Sequence, residues 1–299
     1  MSEDIHIAVI PVAGLGTRLL PATKSQPKEM LPIGRKPVVQ YVVEEMEKNG
    51  IKQVLFVTGK DKTSIENHFD FDHELVRTLR EGGKEELLTE LEYERMRLQF
   101  FFTRQRRPKG LGDAVLCAQH YTGDRPFAVA LGDSVLGMHG SATVVSRMMQ
   151  TYKQNAPCVV IALREVSADQ VSRYGIVLPA SDGPVVLIRD LVEKPSVDKA
   201  PSRLAITARY LLPPDIYKAI QRIPPDHHGE IQLTDAIRLL LQEGMAVYGV
   251  RLNPDEKRYD VGNFQTYFEA FMEFALKDPQ LGAEVQRKMQ ELLRENCEN

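Results

Sequence analysis

Gly14 and Gly16 stand two residues apart in Val9-Ile10-Pro11-Val12-Ala13-Gly14-Leu15-Gly16-Thr17-Arg18-Leu19-Leu20-Pro21, directly after an apolar stretch. Glycines let backbone N–H groups approach an anion closely, and a concave run of such groups makes a phosphate nest. Two cations follow: Arg18 in the loop, and Lys28 in Lys24-Ser25-Gln26-Pro27-Lys28-Glu29-Met30-Leu31-Pro32. Both could neutralise further phosphate charge. Strand, glycine turn and cations together read as a nucleoside triphosphate site. The same glycines would also serve a tight turn with no ligand, and their spacing leaves both readings open. The dinucleotide fingerprint fails, because Leu19 stands where a third glycine or alanine belongs and Pro21 interrupts the expected helix. The P-loop fails for want of Gly-Lys-Ser/Thr.

Further polar groups fall at the ends of apolar runs. Thr103-Arg104-Gln105-Arg106-Arg107-Pro108-Lys109-Gly110-Leu111-Gly112-Asp113-Ala114 follows Leu98 to Phe102. Basic residues and glycines at the carboxyl end of a strand lie where open α/β sheets bind ligands. Asp133 follows Gly132 after another apolar run, a position that also suits a plain turn former. Glu193-Lys194 precedes Pro195, and by itself is a charged pair at a strand-to-turn boundary.

The elements that must position these groups alternate between strand and helix patterns. Ile5 to Val12 is nearly all apolar and β-prone, as in a central strand of a parallel sheet. Pro37 at the first helical position, the stripe Val38, Val39, Val42, Val43, Met46, and Gly50 beyond the end mark a helix. Val54 to Thr58 is the next strand, completing a βαβ unit. Residues 61–97 read as two or three helices with solvated charges, one over Lys84 to Arg95; His68 and His73 match no metal pattern and read as surface or capping residues. Strands follow at Phe127 to Leu131 and Val159 to Leu163, with a helix over about 141–154 between them. Then come three short strands, Gly175 to Leu178, Val185 to Ile188 and Leu191 to Glu193, expected as an antiparallel insertion. Ala205 to Leu212 reads as a returning strand; helices at about 213–222 and 232–243, a strand over Val247 to Val250, an Asn263-capped helix and a charged amphipathic C-terminal helix complete the chain. No linker or repeat interrupts it. The organisation expected is a single domain over 1–299: a nucleotide-binding part at about 1–165, a sugar-phosphate part at about 166–262 and C-terminal helices at about 263–299.

Taken together, Ala13-Gly14-Leu15-Gly16-Thr17-Arg18, Leu20-Pro21-Ala22-Thr23-Lys24 and Pro27-Lys28-Glu29-Met30-Leu31-Pro32 resemble the opening of the bacterial UTP–glucose-1-phosphate uridylyltransferases, among the sugar-phosphate nucleotidyltransferases. The resemblance continues through Tyr174-Gly175-Ile176-Val177, Val192-Glu193-Lys194-Pro195, Gly229 to Ile237 and Lys257 to Asn263. It implies an α/β fold: a Rossmann-like mixed, mostly parallel sheet flanked by helices, of the nucleotide-diphospho-sugar transferase type, with a small antiparallel sugar-binding insertion. It implies UTP and α-D-glucose 1-phosphate as substrates, magnesium as cofactor, and a homodimer or homotetramer. By the same resemblance Ala13, Gly14, Gly16 and Thr17 cradle the triphosphate, and Arg18 and Lys28 bind the phosphates that leave. Gln105 and Gly110 read the base; Gly175, Glu193 and Lys194 hold the sugar phosphate; Asp133 and Asp260 bind the metal. Four residues depart from the family pattern: Asp113 where histidine is common, Ser134 where an acid or apolar residue is common, and Arg203 and Ala208 where asparagine and glycine are usual. The same chemistry with dTTP or another hexose 1-phosphate, or a non-catalytic regulatory paralogue, are the alternatives.

Composition agrees with this frame. The 299 residues are 43% hydrophobic and 26% charged, values of a globular protein. A net charge of −3 argues against a general nucleic-acid or membrane-surface binder, so cationic surface must be local. The three cysteines, Cys117, Cys158 and Cys297, are far apart and form no Cys-x-x-Cys, as expected in a reducing compartment. No signal-peptide h-region or membrane-length apolar run is present, and a cytoplasmic location is expected.

Overall fold

The computed structural model describes residues 4–297. In chain order the strands are β1 (Ile7–Pro11), β2 (Pro32–Ile33), β3 (Lys36–Pro37), β4 (Gln53–Thr58), β5 (Gln99–Arg104), β6 (Phe127–Ala130), β7 (Ser134–Leu136), β8 (Val159–Glu165), β9 (Gly175–Pro179), β10 (Val185–Glu193), β11 (Leu204–Leu212), β12 (Val247–Arg251) and β13 (Arg258–Asp260). The α-helices are α1 (Val38–Lys48), α2 (Thr63–Phe69), α3 (His73–Glu81), α4 (Gly110–Leu116), α5 (Gln119–Thr122), α6 (Val144–Asn155), α7 (Ile216–Arg222), α8 (Leu233–Gln242), α9 (Phe264–Leu276) and α10 (Gly282–Cys297). Nine strands form one sheet in the order β5-β4-β1-β6-β11-β8-β12-β10-β9. β5, β4, β1 and β6 are mutually parallel, β11 runs antiparallel between β6 and β8, and β12 is parallel to β8.

β1 explains why its sequence is apolar throughout. Ile7 and Val9 join a core with α4, α7 and α8, whereas Ala8 and Ile10 join a second core with α1, α2 and α6. Both faces of a central strand are covered, so no polar alternation is possible. β9 and β10 pair antiparallel, and β10 adds to β12, so the hairpin extends the main sheet. β7 and β13 form a separate two-stranded ribbon that projects past the carboxyl end of β6. A third cluster, including Leu19, Ile33, Val135, Tyr259 and Phe274, holds that ribbon and α9 against α1.

Several local expectations change. The strands expected at 185–188 and 191–193 are one strand, β10, with an irregularity in pairing between Ile188 and Asp190. Pro37 is the cap of α1 and not its first residue, so the helix starts one residue later than expected, and Pro37 also closes the β2–β3 hairpin. Residues Glu85–Arg95 form 3-10 turns where an α-helix was expected; the segment has little one-sided apolar patterning to hold a helix down. Gly110–Gly112 opens α4 where a turn was expected.

His68 is half-buried, not a surface or capping group. Its ring stacks on Tyr93 at 4.7 Å and its Nε2 lies 3.0 Å from Gln40 Oε1. Burial lowers its pKa to about 4. His73 opens α3, where Asp72 is the cap.

β11 carries the fold's main irregularity. Its pairing with β8 jumps between Ile206 and Tyr210, where Ala208 takes a left-handed φ of 57°. This kink turns Arg209 inward. Its guanidinium pairs with Glu45 of α1, and its Nη2 donates to the Ser134 carbonyl at 3.0 Å. Both partners are 2% exposed, so deleting either would leave a buried charge and cost about 3–5 kcal/mol. A left-handed alanine costs roughly 1–2 kcal/mol, which glycine escapes.

Ala208→Gly should therefore raise unfolding free energy by about 1 kcal/mol, read as a higher urea midpoint at unchanged slope. An unchanged midpoint would show that the kink is unstrained. The depressed His68 pKa means the unfolded chain binds a proton that the folded chain refuses between about pH 6.5 and pH 4. Stability is complete above that window and falls as pH drops through it. Between pH 6.5 and 4.5 wild type should lose on the order of 2 kcal/mol more than His68→Gln, measured by urea unfolding at each pH.

Candidate active site

An open cleft of about 1020 Å³ runs across the carboxyl ends of β1 and β6, bounded by β9, β10 and the start of α9. A side chamber of about 220 Å³ continues it toward Gln105 and the base of α4. Every site residue expected from the sequence lines one of these two spaces. Gly16, Thr17, Arg18, Gly175, Glu193, Lys194 and Asp260 line the cleft, and Ala13 and Gln105 the chamber. Gly14, Lys28, Gly110 and Asp133 line both, and so mark the junction.

The glycine loop is shaped by its neighbours. Gly16 has φ 65°, and Thr23 Oγ1 donates to its carbonyl at 2.7 Å, closing the turn that displays Thr17 and Arg18. Among the described residues Arg18 has no carboxylate partner, and it is an exposed residue lining the cleft. Lys62 supports the loop from below. Its ammonium donates to the Gly14 carbonyl at 2.8 Å and to Glu29 at 3.1 Å. That one buried group ties the loop to the segment carrying Lys28. Sequence reading missed it, because nothing in Gly59-Lys60-Asp61-Lys62 distinguishes Lys62 from a surface lysine.

Opposite charges interleave on the cleft floor. Lys28 is ion-paired with Asp133. Burial alone would lower the Lys28 pKa, but Asp133, Glu29 and Asp260 carry it above its usual value. Burial alone would raise the Asp133 pKa, but Lys28, Arg258 and Ser134 hold it below the usual carboxylate value. Ser134 and Asp260 are directly paired across β7 and β13. The Ser134 hydroxyl lies 3.3 Å from Asp133 Oδ1 and 3.1 Å from Asp260 Oδ1, and accepts from Arg258 Nη2 at 3.0 Å. Arg258 also donates to Asp260 at 2.7 Å. Arg258 is a second residue that sequence reading missed; its signal was the i, i+2 spacing to Asp260, which puts both side chains on one face of a strand. Ser134, noted only as a departure, is the hydroxyl between the two carboxylates.

At the sugar side, β9 pairs Gly175 with Glu193 of β10. Lys194 takes a left-handed φ of 44°, its N–H donates to Tyr174 O at 3.0 Å, and its ammonium lies 3.2 Å from Glu193 Oε1 at the cleft edge. The guanidinium groups of Arg164 and Arg258 lie over the Tyr174 ring, at 5.0 and 5.5 Å from its centre. At the chamber end Gly110 has φ 88°, and a Cβ there would meet the Ile231 carbonyl at 2.7 Å. Only glycine permits that approach, which is sealed by hydrogen bonds from Ile231 N to Lys109 O and from Gly112 N to Ile231 O, each 2.8 Å. The Gly229 to Ile237 string is thus docked on the Gln105 segment. Arg203 lies elsewhere, beside Glu165 and a small hollow near Val197.

The floor therefore offers backbone N–H groups and two cations toward one anion, a lysine toward a second, and two carboxylates between them. That set can bring two phosphorylated ligands together and hold a hard cation.

A family model described as nucleotidyl transferase matches residues 7–277. The chain is 42% identical over 292 residues to the Bacillus subtilis UTP–glucose-1-phosphate uridylyltransferase, covering 97% of this chain and 98% of that one. A UTP-bound UDP-glucose pyrophosphorylase from Acinetobacter baumannii superposes with a TM-score of 0.86 at 38% identity, covering 96% of this chain and 99% of that one. A UDP-glucose pyrophosphorylase complexed with UDP-glucose superposes at 0.81 with 36% identity, covering 91% and 99%.

If Lys62 supports the glycine loop, Lys62→Met, which removes its hydrogen bonds to Gly14 O and Glu29, should weaken UTP binding about tenfold in a calorimetric titration. Glucose 1-phosphate binding should change little. Equal loss for both ligands would place the effect in the fold at large.

Proposed function

The chain belongs to the nucleotidyl transferase family, and we propose from its cleft how it carries out UTP–glucose-1-phosphate uridylyl transfer. The reaction joins UTP and α-D-glucose 1-phosphate to give UDP-glucose and pyrophosphate. The observation that carries the reading is the convergence of glycine loop, Lys28, Lys194 and both carboxylates on one cleft of about 1020 Å³.

A phosphate oxygen of glucose 1-phosphate attacks the α-phosphorus of UTP, and the bond to the bridging oxygen of pyrophosphate breaks. The nucleophile is already anionic, so no side chain need remove a proton. The protein's task is to overcome repulsion between two anions and hold them in line. Backbone N–H groups of the Gly14–Thr17 loop receive the triphosphate. Arg18, which has no carboxylate partner among the described residues, takes up the charge of the departing pyrophosphate. Lys28 stays protonated throughout the working pH range and adds fixed positive charge beside the loop. Lys194 holds the sugar phosphate, Glu193 accepts hydrogen bonds from sugar hydroxyls, and Gly175 lets the backbone lie close to the ring.

Asp133 and Asp260 fit magnesium. Both are hard oxygen donors, both face the cleft, and Ser134 Oγ lies 3.3 and 3.1 Å from their Oδ1 atoms. Among the described residues no third His, Cys, Asp or Glu joins them, so phosphate oxygens and water would complete the shell. When bound, magnesium offsets charge on the triphosphate and polarises its phosphoryl oxygens. As regards location, no helix among the described residues is long and apolar enough to cross a membrane. The exposed α9 face around Phe268, Phe271 and Met272 is where a homodimer or homotetramer contact would be sought.

The test is direct. Purified protein given UTP, glucose 1-phosphate and magnesium should form UDP-glucose and pyrophosphate in equal amounts, and chelation of the metal should stop it. Lys194→Ala should raise KM for glucose 1-phosphate at least tenfold while UTP affinity holds, since one charged contact contributes about 1.5–3 kcal/mol. No product from folded protein would overturn the reading.

A further inference from the structure

Gln105 is 5% exposed, and its side-chain amide is committed by its surroundings. Its Nε2 donates to Asp113 Oδ2 at 2.7 Å and lies 3.3 Å from the Gly110 carbonyl. Its backbone N–H is bound to Thr58 O at 2.9 Å. An ionised carboxylate and a carbonyl can only accept, so both hydrogens of the amide are spent and the amide cannot be turned over without facing oxygen to oxygen. Among the described residues nothing donates to Gln105 Oε1. That oxygen is also not among the buried polar atoms left without a partner. It is therefore the part of the side chain left open to the chamber, which Gln105 lines with Ala13, Gly110 and Leu111.

We propose that Asp113 is a specificity-determining positioning residue: it locks Gln105 so that the chamber presents an acceptor, selecting a base that carries an imide N–H. Uracil offers N3–H at the centre of its hydrogen-bonding edge. Cytosine offers a bare N3 lone pair at the same point and would face Oε1 with repulsion. This inference rests on the uridylyl-transfer reading for the chamber's occupant and extends it to a residue that never touches the base. Asp113 is placed to do this by α4, whose first turn brings it back toward Gln105, and α4 is seated in turn by the Gly112–Ile231 hydrogen bond of 2.8 Å. An asparagine at position 113 could donate as well as accept, and would leave both orientations of the amide open.

Asp113→Asn and Asp113→Ala test this through ratios. Binding of UTP, CTP and 5-methyluridine triphosphate is measured by calorimetry without sugar phosphate, beside kcat/KM with glucose 1-phosphate. The preference for UTP over CTP should fall about tenfold or more in both variants, the size of one well-oriented base contact. The ratio of UTP to 5-methyluridine triphosphate should stay constant, because those bases share the imide edge. A merely structural lesion would weaken all three nucleotides in parallel, and that result overturns the proposal. So does an unchanged UTP-to-CTP ratio in both variants. Wild type that fails to make UDP-glucose but still prefers UTP to CTP in the calorimeter would sink the catalytic reading and leave the role of Asp113 to be decided by the variants' binding ratios.

Discussion

The ion pair between Lys28 and Asp133 joins the two parts of the chain from which the cleft is made. Lys28 comes from the segment after the glycine loop, and Asp133 from the end of β6. Each charge lowers the cost of holding the other on the cleft floor, where both side chains are still 19% exposed. Their pairing extends outward: Lys28 is also held by Glu29, Glu29 by Lys62, and Lys62 by the loop carbonyl at Gly14. On the other side Asp133 continues to Ser134, Arg258 and Asp260. The result is an alternating set of fixed charges that exists before any substrate arrives. A reaction between two anions gains most from such preorganisation, since the groups need no reorientation as charge moves.

The scaffold keeps that set in place by means remote from the cleft. Arg209 reaches from the kink in β11 to Glu45 of α1 and to the carbonyl of Ser134, and so fixes the ribbon strand that follows Asp133. Burial pushes the Glu45 carboxyl up, and Arg209 opposes that push. The left-handed alanine just before Arg209 is the local cost of aiming it. Lys194 likewise adopts a left-handed backbone at the cleft edge. Strained positions thus occur where a side chain must be turned off the line of its strand, as is common at working sites.

Much of this was legible in the residues themselves. β1 was visible as a doubly buried strand, α1 from its apolar stripe and terminal glycine, and the glycine loop with Arg18 from spacing. The Asn263 cap was visible too, and its side chain accepts from Thr266 N at 3.1 Å. These are local properties, set by backbone preferences and by burial pattern over a few residues. Weak local signals leave other segments to be settled by tertiary contacts. The charged 85–95 segment forms 3-10 turns because its apolar patterning does not support an α-helix, and the polar side chains of Arg189-Asp190, which read as a break between strands, sit at a pairing irregularity inside the continuous β10. His68 reads as a surface residue in the chain because its partners, Gln40 and Tyr93, lie in other elements.

The sequence by itself determined the type of strand and helix order and the glycine loop and, through resemblance to a family, pointed to the groups proposed to surround two substrates. Tertiary structure alone decided which of those groups meet and what holds them. Lys62, Ser134 and Arg209 carry no spacing signal to separate them from ordinary surface residues, and Arg258 only its i, i+2 spacing to Asp260, because their roles consist in contacts made across the sheet and ribbon. Asp113 shows the distinction best. In the chain it is an acid in the first turn of a helix, and only folding sets it against Gln105, where an oxygen that can accept but not donate determines which way an amide must point.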